Sequence, residues 1–158
     1  MDRYQPPSDF LKNLIEDDGP LSNDDTGENL HRLIALTRDE LPANRDWATF
    51  LLAGTEIDTP EVRDALEVAA EDENEFVRSE AILGIAYLDT MAALPLLQRE
   101  LARESVAMPT LEAAALVAHP SLVSLLQPFT SPSDLPHIDE LVLEALRACE
   151  TGRPAYDR

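Results

Sequence analysis

The dipeptide Glu-Ala stands at 80–81, 112–113 and 144–145, a constant step of 32 residues, and small or apolar runs follow each copy: Ile82-Leu83-Gly84, Ala114-Ala115-Leu116 and Leu146-Arg147-Ala148. A period of this length means stacked helix pairs, because one pair cannot bury its apolar stripe alone and must lay it against the next. The stretch from Asp72 to Leu97 shows the unit best. Asn74 has the side chain of a helix cap, and Val77, Ala81, Gly84, Ile85 and Leu88 follow at spacings of three and four on one stripe. Asp89-Thr90 supplies the next capping oxygens, and Ala93, Leu94, Leu97 and Leu101 form a second stripe after a short turn.

Asp72, Val77-Arg78 and Glu80-Ala81, followed by Ala93-Leu94-Pro95-Leu96-Leu97, resemble the bacterial HEAT and HEAT-like repeat signature, most strongly over residues 44–101 and more loosely over 28–150. The resemblance implies an Asp in the turn within each repeat and a Val-Arg pair opening its second helix, with Asp and Arg bonded along the stack. Asp72, Val77 and Arg78 match that pattern, and Ala81, Ala113 and Ala145 are the equivalent small positions. The preceding unit reads as having Asn44 and Ala48 in place of the Asp and Arg, and the following one has Pro109 where Val77 would stand, so the ladder is expected only at Asp72 and Arg78. The expected fold is all-α, an α-solenoid of about four antiparallel helix pairs. Its parts are an N-terminal segment with a short capping helix and an acidic loop (1–27), the repeat domain (28–150) and a disordered tail (151–158).

Composition agrees with such a core and limits its partners. Aromatic residues are only 5% of the chain, so Leu, Ala, Val and Ile must fill the interior. With 12 basic and 31 acidic residues the formal charge is −19, and residues 42–90 alone carry −9. That field opposes a nucleic acid, whose binding draws on Lys and Arg displacing counterions, and it opposes an anionic membrane. It favours encounter with a basic protein, and it also serves solubility. The lone Cys149 cannot form an internal disulfide, and no apolar run approaches a membrane span, so the expected location is cytoplasmic. The oligomeric state is not legible.

Along the chain, Phe10, Leu11, Leu14 and Ile15 make a short amphipathic helix after a polar, proline-bearing start that is expected to extend or fray. The acidic run from Glu16 to Gly27 fails as a calcium loop: counted back from Gly27, Ser22 falls first and Leu33 twelfth, where a carboxylate is needed. Asp25 with Glu28 is read instead as a capping box opening a helix to about Leu41, with Leu30, Leu33, Ile34 and Thr37 inward and Pro42 as its stop. Asn44 is read as the next cap, and Trp47, aligned with Val77 at a step of 30, as a core or end-of-core residue rather than a ligand-stacking one. Thr59-Pro60 opens another helix with Val62, Ala65, Leu66 and Ala69 on one face. An ankyrin reading of Thr-Pro fails, because Glu61-Val62 stand where Leu-His belong. Leu111–Val117 forms a small-residue helix ended by His119-Pro120. Pro128 makes the following helix short or bent, and a last helix carries Leu141, Leu143, Ala145, Leu146 and Cys149.

No nucleophile, base and orienting group come together in a recognisable motif, and no His or Cys pair has ligand spacing; no catalytic residue, metal or cofactor is expected. His31, His119 and His137 sit in unlike settings, and Cys149 reads as a small core residue. The column Glu80, Glu112 and Glu144 has two readings: a carboxylate ladder for an arginine-rich partner, or a repeat position making local helix interactions. The expected function is a non-catalytic protein-interaction module, a scaffold or adaptor with an acidic surface. The alternatives are an immunity-type inhibitor of a basic toxin and an accessory subunit of a HEAT-like lyase.

Overall fold

The computed structural model describes residues 4–16, 21 and 27–156. Asp25 of the expected capping box and residues 17–20 and 22–26 of the acidic loop lie outside the described residues; Glu28 opens its helix behind Gly27, which is in the left-handed region at φ 69°. Among the described residues all regular structure is helical: α1 (Asp9–Glu16), α2 (Glu28–Leu36), α3 (Pro42–Gly54), α4 (Pro60–Ala69), α5 (Glu75–Leu88), α6 (Thr90–Leu101), α7 (Met108–Val117), α8 (Val123–Leu126) and α9 (Pro136–Thr151). In chain order α2/α3, α4/α5, α6/α7 and α8/α9 are four successive helix pairs. Two compact units divide at Gly84/Ile85 within α5.

In the first unit, Thr59 caps α4 through the Val62 N–H, and Asn74 caps α5 through the N–H groups of Phe76 and Val77. Two boundaries differ from the sequence expectation. Helix α2 stops at Leu36, where Thr37 turns its hydroxyl back to the Ile34 carbonyl at 2.7 Å and the next amides bond three residues back, tightening the last turn. Pro42 therefore starts α3 rather than ending α2, since the first helical position needs no N–H. Asn44 is consequently not a cap. It lies inside α3, buried, accepting the Ser8 amide at 3.0 Å and donating to Asp39 at 3.1 Å.

The core of this unit is built from Leu11, Leu33, Ala48, Leu52, Val62, Leu66, Val77, Ala81 and Ile82. Helix α1 packs on α3, burying Leu11 and Leu14. Gly84 allows the closest approach: a methyl group there would fall 2.7 Å from Ala53 Cβ and 3.1 Å from Ala53 Cα. One apolar stripe was expected on α5, yet Ser79, Ile82, Leu83 and Ala86 are buried as well, so this helix is enclosed on most of its circumference.

In the second unit Asp89 caps α6 through the amides of Met91 and Ala92, and Ala93, Leu97 and Leu101 are buried. Pro95 sits inside α6 without ending it. The α7 core face is alanine-rich, and α7 packs chiefly on α9, with Ala113 and Ala145 fully buried. Helix α8 is a single turn between the 3₁₀ segments Pro120–Leu122 and Gln127–Phe129, the short fourth unit that Pro128 requires. Before α9, the Asp139 carboxylate accepts the Ser133 amide and hydroxyl, and these bonds hold its pKa below the ordinary value.

The C-terminal segment follows α9 directly. Gly152 ends α9 at φ 64°, after which the Ala155 amide donates to the Ala115 carbonyl at 3.1 Å and the Tyr156 hydroxyl to the Glu112 carbonyl at 2.7 Å. Residues through Tyr156 thus lie along α7.

Candidate functional site

The Asp–Arg pairing sets the register of the first unit. Arg78 Nη1 donates to the carbonyls of Asp72 and Glu73 at 2.9 and 3.0 Å, and Arg45 Nη1 does the same with Asp39 and Glu40 at 3.0 and 3.3 Å. Arg45 then reaches the next repeat, its Nε and Nη2 gripping the two Asp72 oxygens at 2.7 and 3.1 Å. This bidentate, largely buried pair is the ladder that the sequence reading confined to Asp72 and Arg78. The missed signal was Asp-Glu-x₄-Arg, present at 39–45 and again at 72–78 with a step of 33. A step of 30, which sets Asn44 against Asn74, Trp47 against Val77 and Ala48 against Arg78, hides it.

In the corrected register Ala48 is equivalent to Ala81, and both are fully buried. Trp47 is then equivalent to Glu80, not to Val77. The structure accordingly places Trp47 at the edge of the core: it is half-buried, stacked on Tyr4 with ring centroids 6.2 Å apart and edge-on to Phe50 at 5.8 Å. Its indole N–H is enclosed and has no hydrogen-bond partner among the described residues, which costs the fold rather than helping it.

Tyr4, Asp46, Trp47, Phe50 and Glu80 together line a pocket of about 160 Å³ on the second helices α3 and α5. Tyr4 and Phe50 are 60% and 49% exposed, so the aromatic walls are accessible. The two charged lining groups are both carboxylates. Burial raises the Asp46 pKa above the ordinary carboxylate value, partly opposed by the hydrogen bond from Tyr4, whose own pKa is raised by burial and by Asp46. Among the described residues no Lys, Arg or His forms a salt bridge with Asp46. Such a pocket can stack a flat or cationic group and neutralise its charge.

The other two column residues lie in the second unit, with Glu112 on α7 and Glu144 on α9. Glu112 is half-buried, and desolvation raises its pKa. Glu144 is exposed and lines a shallow cleft with Arg147, Ala148, Arg153, Pro154 and Ala155. The C-terminal segment therefore reaches both residues: Tyr156 bonds the Glu112 carbonyl, and Arg153, Pro154 and Ala155 form one wall of the Glu144 cleft. Sequence reasoning had assigned the Glu column but neither Tyr4 nor Asp46, nor the role of Trp47.

Nucleophilic chemistry finds local explanations. His119 Nδ1 meets Ser121 Oγ at 2.8 Å, but it also accepts the Ser121 amide as the cap of a 3₁₀ turn. His31 Nδ1 bonds the Gly27 carbonyl one turn back. Cys149 is fully buried with its thiol toward the Ala114 carbonyl, and desolvation pushes its pKa up to about 11, the opposite of an activated thiolate. Among the described residues no group of three His, Cys, Asp or Glu could hold a metal ion, and no helix is long and apolar enough to cross a membrane.

Helix pairs whose turn Asp is gripped by the Arg of the preceding repeat fit the HEAT class, and the HEAT repeats family matches residues 30–117; the chain belongs to this family. Among relatives, protein YibA of Escherichia coli (strain K12) is 33% identical over 94 residues, covering 60% of this chain and 34% of YibA. Protein YibA of Escherichia coli O157:H7 gives the same figures. The X-ray structure of E. coli YibA superposes with a TM-score of 0.58 at 28% identity, covering 76% of this chain and 44% of that one. The chain spans about a third of the length of the curated relatives it matches. HEAT repeats commonly mediate protein interactions, and the family is typically non-catalytic.

Proposed function

We propose that this chain is a non-catalytic protein-interaction module that recognises a partner with a basic surface, using the second-helix face of its first unit. The observation that carries this reading is the accessible Tyr4–Trp47–Phe50 cluster beside Asp46 and Glu80, in a chain of net charge −19. Aromatic anchors in a partly desolvated pocket supply binding energy, while surrounding acid supplies attraction and selectivity against acidic competitors. In the second unit the C-terminal segment lies along α7, held there by the Tyr156 hydroxyl on the Glu112 carbonyl.

The test is affinity capture on the immobilised chain at about 50 mM and then about 500 mM salt, a range over which the screening length falls from about 14 to about 4 Å. A specific basic protein, retained at low salt and released as salt rises, with association slowed in Glu80→Gln, is the expected result. Binding indifferent to salt, or a turnover assay abolished by changing Cys149 or a histidine, would overturn the reading.

A further inference from the structure

Resting on that reading and deepening it, we propose that the pocket on α3 and α5 receives an arginine side chain of the partner, its guanidinium lying against the aromatic walls of Trp47 and Phe50 and its N–H groups turned to Asp46 and Glu80. Three features select this occupant. The lining offers ring faces and carboxylates together, so an anion is repelled and a purely apolar side chain would strand the carboxylates away from water. Asp46 is already poorly solvated, with Tyr4 as its hydrogen-bond donor and no cationic partner among the described residues, so an arriving cation relieves a cost that the fold carries. A guanidinium is planar, weakly hydrated and able to stack while donating in its plane, which suits a corner of perpendicular rings better than the strongly hydrated ammonium of lysine. The same unit uses this pairing internally, with the Arg32 guanidinium carbon 4.1 Å from the centre of the Phe10 ring.

Register places the pocket where a partner would meet it. Trp47 and Glu80 are equivalent residues of successive second helices, so the ring and the carboxylate project from the same position of adjacent repeats. A segment running along the two helices passes both.

Trp47 is the only tryptophan of the chain, so its emission reports on this pocket alone. The probes are acetyl-Gly-Arg-Gly-amide and its citrulline counterpart, which keeps the planar shape and removes the charge. The arginine peptide is expected to change Trp47 emission saturably at physiological salt, with the citrulline peptide at least about fivefold weaker. Asp46→Asn, which is isosteric and whose melting transition is measured alongside, should weaken the arginine peptide by about fivefold, and Glu144→Gln should leave it unchanged. Equal responses to the two peptides, no response to either, or an Asp46→Asn variant that binds as the parent does would overturn the proposal. A basic partner captured as tightly by the Asp46→Asn/Trp47→Ala double variant would remove the arginine pocket while leaving the interaction module standing; absence of any salt-sensitive partner would remove the module itself.

Discussion

Arg45 and Asp72 show how much one pair of residues decides. Their side chains are only 11% and 12% exposed, and they meet through two hydrogen bonds across successive repeats. Removing one partner leaves the other charge enclosed, so Asp72→Ala is expected to cost about 2–4 kcal/mol in urea unfolding, against less than about 1 kcal/mol for removing the exposed Arg38–Asp64 pair. Glu112 behaves in the opposite sense. Burial raises its pKa, so relative to an ordinary glutamate it contributes most to stability while protonated, and that contribution is lost as pH rises from the ordinary carboxylate range through the raised value. Glu112→Gln should therefore raise the urea midpoint slightly at pH 7, and not at about pH 3.5, where both states of the parent are protonated. The identity of these residues was legible, but their register was not. Asp-Glu-x₄-Arg is a six-residue interval whose period competes with the Asn and Trp coincidences at a step of 30, and only the geometry of the bonds decides between them.

At the scale of a helix, small residues do what large ones cannot. Gly84 lets α5 come within reach of Ala53 on α3 and Leu66 on α4, and the nearest obstacle to an added methyl includes backbone, which cannot swing aside. Gly84→Ala is expected to destabilise by about 1–3 kcal/mol despite alanine's better helix propensity, because overpacking outweighs the gain of about 1 kcal/mol; thermal melts of the two proteins decide the sign. Periodicity found these helices because apolar spacing is set by burial, and Thr59, Asn74 and Asp89 marked three starts because their oxygens satisfy the first amides. It misjudged the ends of α2 and the start of α3, where a proline stop and a proline start look alike in sequence. The aromatic pocket was illegible for a related reason: Tyr4 and Trp47 are far apart in the chain, and nothing local indicates that residues 4–8 run along α3.

The molecule as a whole carries its charge unevenly, with twelve acidic and three basic residues in 42–90. Self-repulsion of this size opposes compaction, so raising salt from about 20 to about 200 mM should increase the melting temperature by screening it. A melting temperature that falls over the same range would mean that specific pairs such as Arg45–Asp72 outweigh the general repulsion. The same salt change weakens the proposed encounter with a basic protein. Stability and recognition thus respond to ionic strength with opposite signs, which lets one titration separate a folding defect from a binding defect in any acidic-to-neutral variant.

The hydroxyl of Tyr156 rests on a carbonyl of α7, and that small contact has a practical corollary. A residue that serves as a latch can also be unlatched: a phosphoryl group on this phenol would replace the donated proton and bring further negative charge to Glu112, whose carboxylate is already poorly hydrated. Tyr156→Phe tests the latch without the added charge. Amide exchange at Ala155 should accelerate in that variant if the phenol keeps the segment seated. The strip of α7 beneath would then become open to solvent and to other proteins.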